Sequence, residues 1–248
     1  MRCNIVYWAS DTMVTLTLLR TDIPEDDVIR LASVLCAEER ARAARFRQPD
    51  DHRRYVVTRA LLRHLLAHHL RLDAQSLVFA QIGQGKPVLA KADAQGNAQP
   101  PLHFNVSHSG QWAAIAWGQH PIGVDIEQRR SLDVLAVGAQ MFDARVLKSI
   151  AQADDSETAF FMAWTAREAL LKARGTGLSE VDATLAQSAT LPTLDRQALA
   201  LDGDVCIEPF EVAPDYYGAV CVLAPSMTLT RHVAVDPMHP LPTFSIPG

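Results

Sequence analysis

Asp125 and Glu127 stand two residues apart in the apolar run GVDIE, Gly123 to Glu127. On a β-strand that spacing turns both carboxylates to one face, where they can share one ion. Farther along, Trp164, Glu168 and Lys172 recur at four-residue intervals, which on an α-helix stacks a ring, a carboxylate and an ammonium at about 6 Å of rise per step. Three hard oxygen donors without a thiolate or imidazole cluster suit Mg²⁺, which keeps coordination positions for water and substrate phosphates. A lysine one turn beyond the last acid could neutralise charge developing on a bridging phosphate oxygen, and the acid could accept a proton from an attacking hydroxyl. This is the chemistry of phosphoryl-type transfer, with Asp125, Glu127 and Glu168 as metal ligands and Glu168 and Lys172 as catalytic groups.

Each of these patterns also has a plainer meaning. Two acids at this spacing occur on ordinary solvated strand edges, and Glu168 with Lys172 could be an i,i+4 pair worth roughly a few tenths of a kcal/mol. Trp164 and the Leu170-Leu171 pair argue instead that this turn is partly buried, where an idle ion pair is costly. Ser107-His108-Ser109 suggests nucleophilic catalysis at first sight, but no GxSxG elbow surrounds either serine. Lys86, between Gly85 and Pro87, reads by itself as a turn lysine. A metal-dependent pyrophosphohydrolase would use the same acids and lysine with water as nucleophile. A catalytically silent binding protein should have lost one of them, and none is missing.

In their joint order, GKP (85–87), FNVSHS (104–109), GVDIE (123–127) and WTAREALLKARGTGL (164–178) resemble the signatures of the 4'-phosphopantetheinyl transferases. The likeness, over roughly residues 40–225, is to the larger single-chain kind acting on carrier proteins of peptide, polyketide and siderophore synthesis. It implies transfer of the phosphopantetheine arm of coenzyme A to a serine of an apo acyl, peptidyl or aryl carrier protein, with Mg²⁺ as cofactor and 3',5'-ADP as the second product. It further implies coenzyme A contacts from Gly85, Lys86, Pro87, Ser107, His108 and Lys172, with Arg47 and Arg54 near the 3'-phosphate. Arg167 departs from the lysine usual before the metal-binding glutamate, and the two are not interchangeable in hydrogen-bond geometry. The fold implied is α+β: two halves related by a pseudo-twofold, each a small antiparallel sheet with a long helix, and a cleft between them. Residues 1–120 would form the half that binds coenzyme A, 121–235 the half bearing metal ligands and catalytic helix, and 236–248 a proline-rich tail.

Several elements must position these groups. Val14, Leu16 and Leu18 alternate as in a strand within Asn4 to Leu19, and the acidic opening at 24–27 predicts a helix through about Glu38. A second helix should follow Pro49, with Arg54, Arg59 and Arg63 interleaved among its leucines. The segments 113–117 and 122–126, joined by Gly118-Gln119-His120-Pro121, read as a hairpin. Residues 92–101 read as a surface loop, and Gly175-Thr176-Gly177 should end the helix bearing Glu168. Strand-rich segments are expected over 182–223.

At 248 residues, 48% hydrophobic and 21% charged, the chain can bury a substantial core. A net charge of -5, without blocks of one sign, argues against nucleic acid as a partner. No apolar run reaches the ~18 residues of a membrane helix. Asp11 interrupts what a signal peptide would need. The expectation is a cytoplasmic monomer without a membrane partner. Cys3, Cys36, Cys206 and Cys221 are scattered without CxxC spacing, so reduced structural thiols are expected.

Overall fold

Alternating apolar residues make Met13–Arg20 a strand, β1, with Val14, Leu16 and Leu18 turned to one face and Leu19 to the other. The computed structural model describes residues 12–82, 86–90, 102–175, 199–201 and 205–234. After β1 come α1 (Glu25–Ala32), α2 (Ala37–Ala43), α3 (Pro49–Leu70), a 3-10 turn (Ala74–Ser76), β2 (Phe79–Ile82), β3 (Lys86–Leu89), β4 (His103–Ser109), β5 (Trp112–Gly118) and β6 (Ile122–Gln128). Then follow α4 (Val134–Gly138), α5 (Ala144–Gln152), α6 (Ser156–Arg174), β7 (Leu199–Leu201), β8 (Val205–Ala213), β9 (Tyr216–Val222) and β10 (Thr228–Ala234). This is a mixed α+β architecture. Strands run β10-β1-β5-β4 in one sheet, β6-β9-β8-β7 in another, and β2 pairs β3 separately.

The two larger sheets pack face to face. Val14, Leu16, Leu18, Ala114 and Ala116 of the first meet Ile122, Val124, Ile126, Phe210, Val220 and Val222 of the second in one buried cluster. The outer face of the first sheet, with Leu19, Ala113 and Ile115, is covered by α1 and α3. That of the second, with Ile207, Ala219 and Cys221, is covered by Ala166, Ala169, Leu170 and Ala173 of α6. Each sheet thus carries one long helix.

Three sequence expectations are corrected. The helix expected to run through Glu38 stops at Ala32 and resumes at Ala37, because Glu39 turns inward and accepts the Cys36 amide at 3.0 Å in a capping box. The hairpin of 113–117 with 122–126 does not form: β5 is flanked on both edges by β1 and β4, and β6 pairs β9 in the other sheet. Local alternation sets which face a strand buries, and it does not name the partner. The first sheet is not purely antiparallel, since β10 joins β1 in parallel, Met13 opposite Thr228.

The helix after Pro49 is as expected, with Pro49 at its first turn. Gly175 ends α6 in the left-handed conformation at φ 76°. Cys36, Cys206 and Cys221 are free thiols. Expectations for Cys3, Asp11, Gly85, the 92–101 loop, Thr176, Gly177, 182–198 and the 236–248 tail fall outside the described residues. Among the described residues no helix is long and apolar enough to cross a membrane.

Candidate active site

The site lies where β6 passes between the edge of the first sheet and α6. The apolar residues of β6, Ile122, Val124 and Ile126, face the other sheet, so the intervening Gly123, Asp125 and Glu127 face the helix. Gly123 allows the approach: a Cβ there would stand 1.9 Å from the Ala169 carbonyl oxygen of α6. Helix α6 is fixed at its start by Asp155, whose side chain accepts the Thr158 amide at 3.0 Å. Arg129, just beyond β6, reaches Asp155 at 2.7 Å and Glu157 at 2.8 Å, tying strand end to helix start.

Trp164, Glu168 and Lys172 line a cavity of about 340 Å³ together with Val106, Ser107, His108, Asp125 and Glu127. The four-residue spacing therefore does place ring, acid and ammonium on one wall. The Lys172 ammonium donates to Asp125 Oδ1 at 2.6 Å, Ser107 Oγ at 3.1 Å and the Val124 carbonyl at 3.2 Å. Asp125 is only 5% exposed, and its Oδ1 also accepts Ser107 Oγ at 2.9 Å. Glu127 accepts Ser109 Oγ at 3.0 Å and Arg130 at 3.3 Å. Glu168 has Arg167 at 3.4 Å, which gives that substituted arginine a place beside the acid.

Among the described residues no three His, Cys, Asp or Glu side chains already stand grouped as a metal cage; the Lys172 ammonium sits against Asp125 instead. The donor set nevertheless fits a hard divalent cation. Asp125 Oδ2 is buried and has no hydrogen-bond partner among the described residues, a costly condition that a cation would relieve. Burial first, and then the negative charge of Asp125, push the Glu168 carboxyl above its ordinary value, with Lys172 and Arg167 opposing. Too much negative charge for its solvation is held at one spot.

A second cavity, about 1110 Å³, adjoins the first, sharing Val106 and His108. Its walls carry Arg42, Arg45, Arg59 and Arg63 with Phe46, Tyr55, Phe79 and Pro87. The His108 ring is open to the cavity yet enclosed by its walls, and this desolvation, aided by the charge of Arg54, lowers its pKa. Arg54 donates to the Gly110 carbonyl at 3.1 Å and pairs with Asp51 at 3.0 Å. Arg47 is exposed and lines neither cavity. Lys86 opens β3, and its side chain, like Gly85, lies outside the described residues.

Sequence reasoning passed over Arg42, Arg45 and Arg59 as cavity walls, and Asn105 and Ser109 as partners of β6. The arginines carry no motif and look like a solvated helix face. For the two β4 residues a signal existed, since NVSHS repeats small polar residues at the same period of two as the acids of GVDIE.

Comparison with known proteins gives two family matches that meet end to end. Residues 24–120 match the model described as 4'-phosphopantetheinyl transferase, N-terminal, and residues 121–221 match the 4'-phosphopantetheinyl transferase superfamily. The chain is 33% identical over 206 residues to the 4'-phosphopantetheinyl transferase psf-1 of Bacillus pumilus, covering 80% of this chain and 82% of that one. It is 28% identical over 218 residues to the transferase Sfp of Bacillus subtilis, covering 82% and 88%. To the transferase HetI of a Nostoc species it is 33% identical over 166 residues, 65% and 68% of the two chains.

Proposed function

The chain belongs to the 4'-phosphopantetheinyl transferase superfamily and is an enzyme of its larger type, and from that premise we propose that it transfers the phosphopantetheine arm of coenzyme A to the serine of an apo carrier protein, Mg²⁺-dependently. The observation that carries the reading is the buried, partnerless Oδ2 of Asp125 in a cavity shared with Glu127, Glu168 and Lys172.

Asp125, Glu127 and Glu168 would hold Mg²⁺, which when bound withdraws charge from the phosphoryl group under attack. Glu168, directly or through a water, accepts the proton of the carrier serine. The serine oxygen bonds to the β-phosphorus bearing the pantetheine arm while the bond from that phosphorus to the bridging oxygen breaks. 3',5'-ADP departs with the bridging oxygen, and Lys172 neutralises the charge left on it. The Lys172 ammonium is hydrogen-bonded to Asp125, Ser107 and Val124, so this role requires it to exchange at least one of them.

The arginine-lined cavity, with its aromatic rings, suits the phosphorylated nucleotide end of coenzyme A. His108 lines both cavities and Ser107 the smaller one beside it, where the diphosphate would lie. Pro87 lines the larger cavity, which supports a coenzyme A contact for the Gly85-Lys86-Pro87 stretch. Arg54 acts from behind His108, while Arg47 has only its sequence position in its favour. Two pseudo-twofold halves meeting near residue 120, with this site in the cleft between them, are supported by one long helix on each sheet and by the family matches that join at 120/121. The enzyme would work as a cytoplasmic monomer.

The test is to incubate the protein with coenzyme A, Mg²⁺ and a panel of apo acyl, peptidyl and aryl carrier proteins and read intact masses. One carrier should gain a single phosphopantetheine on serine. Hydrolysis of coenzyme A with every carrier unmodified would replace this reading with that of a pyrophosphohydrolase.

A further inference from the structure

Strands β4 and β6 are neighbouring edges of different sheets, joined through the side chains of β4. Asn105, Ser107 and Ser109 recur at period two along β4, and each meets β6. Asn105 Oδ1 accepts the Val124 amide at 2.9 Å. Ser107 Oγ donates to Asp125 Oδ1 at 2.9 Å. Ser109 Oγ donates to Glu127 Oε2 at 3.0 Å and accepts the Gln128 amide at 3.0 Å. Two amides of β6 are therefore satisfied by side chains where a neighbouring strand would ordinarily serve.

The pattern at the acids is selective. Ser107 and Lys172 both bind Oδ1 of Asp125, and Oδ2 has no hydrogen-bond partner among the described residues. Ser109 and Arg130 both bind Oε2 of Glu127. One oxygen of each acid is engaged from β4, and the other keeps its lone pairs. A hydroxyl that donates to one carboxylate oxygen fixes the rotamer and leaves the second oxygen aimed elsewhere.

We propose that Asn105 and Ser109 are positioning residues: with Ser107 they form a side-chain ladder that sets β6 in register against β4, and Ser109 holds the Glu127 carboxylate with one oxygen presented to the cation. This rests on the metal reading given above. Asn105 acts at the start of the ladder through the Val124 amide, one residue before Asp125. Ser109 acts at its end, through both Glu127 and the Gln128 amide that follows it.

The test is calorimetric titration of Mg²⁺ into the full chain with saturating coenzyme A, for wild type, Ser109→Ala and Ser109→Thr, alongside thermal melting without metal. Ser109→Ala should bind Mg²⁺ roughly 10- to 100-fold more weakly, as loss of a partner behind a metal ligand does, while melting near wild type. Ser109→Thr keeps the hydroxyl and should recover most of the affinity. If the alanine variant is unstable, Ser109→Cys, of similar shape with a weak donor, gives the same reading. Native Mg²⁺ affinity in Ser109→Ala overturns the ladder and leaves the metal reading standing. So does a loss that threonine fails to restore, which would be packing alone. Absence of Mg²⁺ binding by wild type overturns the metal reading itself, and the ladder with it.

Discussion

Two clusters of buried charge use nearly the same residue types to opposite ends. In the first, Glu39 on α2 accepts Arg59 Nε at 2.5 Å, Arg63 Nε at 2.7 Å and the Cys36 amide at 3.0 Å. Arg63, 1% exposed, gives its remaining reach to the carbonyls of Ala74 and Leu77, and Arg59 lies 3.9 Å over the Phe79 ring. Burial works against the Glu39 carboxylate, yet the Arg63 hydrogen bond and the Arg59 charge outweigh it and its pKa falls. In the second cluster Asp125 keeps a partnerless oxygen and Glu168 is pushed up. A buried acid whose oxygens are all engaged belongs to the fold. An acid left incomplete has room for a further partner, as the metal reading requires.

If the contrast is right, removing the incomplete acid should cost activity and removing the complete one should cost stability. Asp125→Ala is expected to lower Mg²⁺-dependent transfer by more than about 10³-fold, beyond the loss of a single transition-state donor, with a melting temperature near wild type. A carrier-modification assay and a thermal melt check both halves. Asp125 is buried, which makes the thermal half of this test the sharper one. Glu39→Ala should destabilise by about 3–5 kcal/mol, because it leaves two arginines without their counter-charge. Urea denaturation measures it, and a loss under about 1 kcal/mol would place the pair among weak surface-like bridges.

Lys172→Ala should slow transfer by about 10² to 10³-fold and weaken coenzyme A while sparing Mg²⁺ binding. Glu168→Gln should weaken Mg²⁺ and the chemical step together. Single-turnover rates with metal and coenzyme A titrations separate the two. Native rate and affinity in Lys172→Ala would reduce that lysine to a helix-pair partner.

The smallest effect is on pH dependence without metal. Glu168 has a raised folded pKa, so from the ordinary carboxylate value up to that raised value the folded chain holds a proton the unfolded chain has released. Stability therefore falls as pH rises through this window. Glu39 has a lowered folded pKa, so its contribution is present above the ordinary value and is lost as pH falls through the lowered one. Melting temperature against pH should show both declines, and Glu168→Gln should remove only the first.

The parts of the site carried by local periodicity were legible in the sequence. The two-residue spacing of Asp125 and Glu127 and the four-residue spacing of Trp164, Glu168 and Lys172 put all five on one cavity, because each period is a property of its own element. Partner choice was not legible. The alternation of β5 and β6 suits a hairpin as well as two sheets, and only the distant β1 and β9 decide between them. Nor was the burial of Arg63, since an arginine among leucines reads as a solvated face until Glu39 is seen to meet it. The break between α1 and α2 left a faint trace: Glu39 three residues after Cys36 has the spacing of a capping box.

The parallel pairing of β1 with β10 bears on how the protein is made. β1 leaves the ribosome before every other described strand and β10 after them all. Until then the first sheet presents a row of unpaired backbone groups along β1, the kind of edge that recruits a second nascent chain. The acids of the candidate site, Asp125, Glu127 and Glu168, are all synthesised before that edge is closed. A nascent chain could thus hold these acids on formed elements while still open to misassembly, and the contact that ends this interval is among the longest-range in the molecule, a type that forms slowly.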